Sequence, residues 1–184
     1  MLAQKMISNE TNVPKLRLIK SKERVRDAGE VFTPDFLVEQ MLDLFPEDAW
    51  GKEKNWLEPT CGNGQFIVGV LNRKIKKGTG LLQALNTTFG MDIMRDNVSE
   101  CRTRILNEVV IPNLKKSRRS KEDKEKLICT AICIIANNIV HTEDSLLEDW
   151  NHKFRYFDDQ PMEKKRAAFD RARRLYHQHE YLSR

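Results

Sequence analysis

From residue 33 onward, apolar residues at helical spacing alternate with short apolar runs bounded by turn residues. Phe36, Leu37, Met41, Leu42 and Leu44 follow Thr33-Pro34, which predicts a helix with Thr33 as N-cap, Pro34 at its first position and an end near Pro46. Asn55-Trp56-Leu57-Glu58 stands between a charged turn and Pro59-Thr60-Cys61-Gly62-Asn63-Gly64, the place for a buried strand feeding a glycine turn. A helix over residues 64–74 then buries Phe66, Ile67, Val70 and Leu71, and residues 81–85 make another helical patch. Residues 87–93 form a second strand ending in an acid. Residues 96–114 are helical, with Val98, Cys101, Ile105, Val109 and Leu114 close to one face. After a basic loop at 115–126, residues 127–136 fit helix or strand by periodicity, with helix preferred. Ile139-Val140-His141 reads as a third strand leading into acids, and residues 154–157 as a fourth. The last stretch, 163–182, is an amphipathic helix with Ala167, Ala168, Ala172, Leu175 and Tyr176 on its buried side.

This alternation predicts an α/β fold: a Rossmann-like, doubly wound, mostly parallel sheet, shortened after the fourth strand. Ligands of such sheets bind beyond the carboxyl ends of the strands. Three segments are expected: a polar N-terminal arm at 1–28, flexible or draped over the body, a ligand-binding domain at 29–162, and a basic C-terminal helix at 163–184. At 184 residues the chain is long enough for one domain with a real core. No apolar run approaches the ~20 residues that cross a bilayer, and no secretory signal is visible, so a cytoplasmic location is expected, with no membrane partner. Cys61, Cys101, Cys129 and Cys133 suggest neither a disulfide framework nor zinc spacing, and the histidines lack ligand spacing, so no metal is expected. The net charge of +5 favours a polyanionic partner. Its cations gather in two places, residues 115–126, bounded by Lys115 and Lys126, and residues 164–174, bounded by Lys164 and Arg174.

The chemistry-bearing residues fall at strand ends. Gly62 and Gly64 allow a tight turn and close approach of a ligand to the backbone. Glu58, just before the turn, can accept from an ammonium or hydroxyl, while the amides of a helix N-terminus favour a carboxylate. Asp92 closes the next strand, where an acid commonly takes the hydroxyls of a ribose, and Asp144 closes the third, where an acceptor meets an adenine amino group.

These elements together resemble the class I S-adenosylmethionine-dependent methyltransferases, specifically the adenine amino-methyltransferases of restriction–modification systems and phages. Gly29-Glu30-Val31-Phe32-Thr33-Pro34 is similar to that family's G-x-[YF]-[YF]-T-P element, and residues 57–66 to its L-[DE]-P-x-C-G-x-G-x-F loop. Gly90-Met91-Asp92-Ile93 is similar to its ribose-binding strand end, and residues 139–146 to its I-x-x-x-D-[ST]-L strand end. The resemblance implies that Phe32, Thr33 and Pro34 contact the methionine part of the cofactor, Glu58 its amino group, Asp92 the ribose and Asp144 the adenine. Pro59, Cys61, Gly62, Gly64 and Phe66, with Ile93 and Ser145 beside the two acids, complete the implied set.

The family's catalytic [DNS]-P-P-[YFW] is missing. Asp158-Asp159-Gln160-Pro161-Met162 stands where it is expected, so Asp159, Gln160 and Pro161 are the candidate catalytic positions. An acceptor there would orient the target amino group, but Met162 is a poor platform for stacking a flipped base. The implied activity is methyl transfer to adenine in DNA, in a bacterial or phage-infected cell, with the two basic segments on phosphates. Two other readings stay open. One is a non-catalytic cofactor-binding subunit or sequestering protein, with a homodimer or partner subunit completing the sheet; the other is a basic nucleic-acid-binding protein with a vestigial loop.

Overall fold

The computed structural model describes residues 18–143 and 159–179. Helix α1 (Lys22–Ala28) is capped by Ser21, whose hydroxyl accepts from the Arg24 amide, and ends at Gly29 in the left-handed region. Helix α2 (Asp35–Leu42) follows, then a 3-10 turn (Glu47–Trp50) and strand β1 (Trp56–Glu58). After the glycine loop come α3 (Gln65–Lys76), α4 (Leu81–Asn86) and β2 (Thr88–Asp92). Helix α5 (Arg95–Arg104) continues through a π-helical stretch (Ile105–Val110) into α6 (Ile111–Lys115). Helix α7 (Lys121–Asn138) then feeds β3 (Ile139–His141), and α8 (Met162–His179) closes the described chain.

The result is a largely helical α/β arrangement around a three-stranded parallel sheet in the order β1-β2-β3. Leu57 pairs with Phe89, and Met91 with Val140. Every residue of β2 is buried, as expected of a central parallel strand covered on both faces. The predicted stripe of Val98, Cys101, Ile105, Val109 and Leu114 is buried in full, along with Ile128 and Ile134 of α7. Each such aliphatic side chain contributes roughly 1.5–3 kcal/mol on burial. A polar clamp fixes the passage from α7 to β3. The Asn138 amide donates to the Leu85 carbonyl at 2.9 Å and the Thr88 carbonyl at 3.2 Å, joining the end of α7 to the start of β2.

Several expectations need correction. Helix α2 starts one residue late, with Pro34 rather than Thr33 in the capping position and no side-chain cap, and it stops at Leu42. Its buried face is Val38 and Leu42, whereas Phe36, Leu37, Met41 and Leu44 are exposed. The reason is Gly69 on α3, which lets α2 approach so closely that an added Cβ would lie 2.9 Å from both Leu42 and Val38. The basic loop is shorter than predicted, because α7 begins at Lys121, where Ser120 caps the Asp123 amide. In α8 the buried residues are Ala172 and Tyr176; Ala167 and Leu175 are exposed. Within the stretch expected as an arm, residues 22–28 form α1, whose Arg24 pairs with Glu30 and Asp96 of the body. The predicted strand at 154–157 lies outside the described residues, as do residues 1–17. Among the described residues no helix is long and apolar enough to cross a membrane.

Candidate functional site

Beyond the carboxyl ends of β1 and β2 lies a cavity of about 230 Å3, lined from three separate stretches of sequence: within residues 28–33, 60–66 and 92–97. Phe32, Thr33, Cys61, Gly62, Phe66, Asp92 and Ile93 of the expected set are on its wall. Pro34, Glu58, Pro59 and Gly64 are not. The Glu58 carboxylate turns to its own loop, accepting from the Thr60 amide at 3.2 Å and hydroxyl at 3.1 Å. Glu58 and Phe66 also line a larger apolar groove of about 820 Å3 beside β1, with Met41, Leu44, Phe45 and Trp56. Asp144 and Ser145 lie outside the described residues.

Asp92 organises the cavity floor. Its Oδ2 accepts from the Gly62 amide at 2.9 Å and its Oδ1 from the Met94 amide at 2.8 Å, so one buried carboxylate holds both the glycine loop and the turn into α5. Gly62, at φ +51°, makes this bend with the Phe32 ring 3.4 Å from where a Cβ would sit. Gly64, at φ +92°, is glycine for another reason. A Cβ there would lie 2.7 Å from the Cys101 sulfur, so the constraint is packing of the loop on α5 rather than access for a ligand. The neighbouring Cys61 thiol is pushed far above its ordinary pKa by its contact with Cys101 and by burial, and therefore stays protonated.

An ionic strap that no motif marks adjoins the cavity through Glu30. Lys20 donates to Asp96 at 2.9 Å and pairs with Glu100 at 2.8 Å, while Arg24 reaches Asp96 at 2.6 Å and Glu30 at 2.5 Å. Burial works against the Lys20 charge, yet Glu100 and Asp96 outweigh it and raise its pKa. Arg24 and Lys20 together hold the Asp96 carboxyl well below the usual carboxylate range. The Phe32 amide donates to the Leu18 carbonyl at 2.7 Å, which closes this strap along the cavity. Glu30 and Asn97, both on the cavity wall, are linked by an amide-to-carboxylate hydrogen bond of 2.7 Å. Glu30 occupies the variable position of its motif and Asn97 a polar slot in the first turn of a helix, so neither periodicity nor motif marks them.

Asp159, Gln160 and Pro161 lie in the turn before α8, where the Pro161 carbonyl accepts from the Lys165 amide at 3.0 Å; none of the three lines the cavity. The two basic segments meet on packed helices, because Glu125 of α7 is 3.4 Å from Arg173 and 3.1 Å from His177 of α8. Among the described residues no group of three or more His, Cys, Asp and Glu side chains is placed to hold a metal. Comparison with known proteins finds no family model, no curated protein and no solved structure that matches this chain.

Proposed function

We propose that this chain is a Rossmann-like S-adenosylmethionine-binding protein of the DNA adenine methyltransferase type, with the cofactor in the cavity beyond β1 and β2. The carrying observation is convergence: three motifs far apart in sequence form the wall of one cavity at the strand ends, where ligands of parallel α/β sheets bind. The residues present suit the group. The first amides of α3, which have no partner within the helix, suit a carboxylate. Phe32 and Phe66 supply apolar walls, and Asp92 retains lone pairs for hydroxyls. The bound cofactor would supply an electrophilic methyl group; this chain's residues would orient it and exclude water.

Calorimetric titration with S-adenosylmethionine tests the reading. Saturable binding is expected, with Asp92→Ala weakening it at least tenfold, in line with the roughly 1.5–3 kcal/mol of a hydrogen bond to a charged group. An absence of binding by the folded wild-type protein overturns it. The basic stretch at 115–126, which runs from the end of α6 into α7, and the one on α8 would touch phosphates, so Arg118→Gln, between α6 and α7, should lower the log–log salt slope of DNA binding by about one.

A second reading, a cofactor-binding protein without catalysis, is favoured by the placement of Asp159, Gln160 and Pro161 away from the cavity wall. Labelled cofactor with mixed DNA separates the two. Label in DNA supports methyl transfer, and none despite proven cofactor binding supports the second reading.

A further inference from the structure

The side chain of Glu30 is 8% exposed, and one of its two carboxylate oxygens has no hydrogen-bond partner. Oε2 is fully engaged, by Arg24 at 2.5 Å and by the Asn97 amide at 2.7 Å, while Oε1 has none. A buried carboxylate oxygen without a donor is costly, and such atoms in a cavity wall call for a donor from outside the chain. A second buried acceptor in the same wall, Oδ1 of Asn63, is also without a partner, although its Nδ2 donates to Glu100 at 3.2 Å.

The neighbourhood narrows the donor. Arg24 already compensates the Glu30 charge, so the open oxygen suits a neutral hydroxyl better than a cation. Asp92 stands beside it. The same Asn97 Nδ2 that donates to Glu30 lies 3.4 Å from Asp92 Oδ1, so two carboxylates flank one amide at the end of β2. Two adjacent acceptors, each with a free lone pair, match two adjacent hydroxyls.

We infer that Glu30 and Asp92 together receive the vicinal ribose hydroxyls of the nucleoside ligand, with Glu30 Oε1 taking one hydroxyl and Asp92 the other. This rests on the cofactor reading of the cavity and adds a ligand-contacting residue to it. Asn97 is the positioning residue that holds the two carboxylates side by side. The competing partner for Oε1 is Arg24 itself, whose Nε is likewise unpaired. A carboxylate that only braced Arg24 would be blind to the ligand's hydroxyls.

Calorimetry of the wild-type chain and of Glu30→Gln, with S-adenosylmethionine and its 2′-deoxy and 3′-deoxy counterparts, tests the assignment. The wild type should bind the ribose form at least tenfold more tightly than each deoxy form. Glu30→Gln should lose about tenfold for the ribose form and less than twofold for one of the deoxy forms, the one lacking the hydroxyl that Glu30 takes. Equal losses for all three ligands, or no loss for any, overturn the assignment while leaving the cofactor reading intact. Failure of the wild type to bind any of the three overturns the cofactor reading first. The wild-type ribose-to-deoxy ratio needs no variant, so a ratio near one defeats the inference even if Glu30→Gln does not fold.

Discussion

Gly62 and Gly64 look alike in the sequence, two glycines in one loop, and the structure separates their roles. Both have positive φ, but only Gly64 is backed by a sulfur atom within van der Waals range of a missing Cβ. Gly64→Ala should therefore lower stability by about 2 kcal/mol or more, and Gly62→Ala by about 1 kcal/mol, read from urea midpoints. The reverse order would mean that the loop does not pack on α5 as described. Lys74 shows what residue type alone conceals. It sits fully buried in α3, donating to the Lys54 carbonyl at 2.8 Å and to the Thr87 hydroxyl. Burial pushes its ammonium down to about 8 from an ordinary 10.5. Between those values the unfolded chain binds the extra proton, so this residue makes stability rise as pH increases through the window, by no more than about 1.4 kcal/mol per pH unit. Below pH 8 the penalty is constant. Urea melts at pH 8 and pH 10 should show this increment in the wild type and its absence in Lys74→Met.

At the scale of elements, the helices that were legible are those held by an apolar stripe. The register of α5 and of the π-helical stretch that continues it follows from Val98, Cys101 and Ile105, all of which are buried. Helix α1 was invisible for the corresponding reason: it buries no residue and is held by Lys20 and Arg24 on Asp96, Glu100 and Glu30. Periodicity cannot report a helix whose attachments are ionic. Such attachments are sensitive to screening, which at about 1 M salt acts within roughly 3 Å. Amide exchange at Val25 and Gly29, whose hydrogen bonds run to the Ser21 and Val25 carbonyls, should accelerate at high salt and in Arg24→Gln. Exchange at the central Met91 should not change under either condition. Protection of Val25 that survives both treatments would show that ions do not hold α1. Helix α2 teaches the complementary lesson. Of the apolar residues expected to make its stripe only Leu42 is buried, and Val38, which packs beside it, was not among them; the face that packs is decided by Gly69 on another helix, which the sequence of α2 does not contain.

For the molecule as a whole, alternation of helical and strand-like segments was enough to foresee a parallel sheet and to put the candidate ligand residues at strand ends. It was not enough to say which polar groups face the cavity. Glu58 folded back on Thr60, and Glu30 came forward through a strap with no apolar signature. The same whole-chain pattern left an apolar surface unassigned. Beside the outer edge of β1, Met41, Leu44 and Phe45 are 41%, 84% and 46% exposed, and together they line the adjoining groove as a greasy margin on an otherwise highly charged chain. That margin governs how the protein behaves as a solute. Salts excluded from protein surfaces strengthen apolar contact, so ammonium sulfate should precipitate the protein early, and Leu44→Lys with Met41→Lys should raise the precipitation threshold without shifting the melting temperature. β1 itself is only three residues long, too short to template an extended ladder. Precipitates formed this way should redissolve on dilution and give no cross-β diffraction.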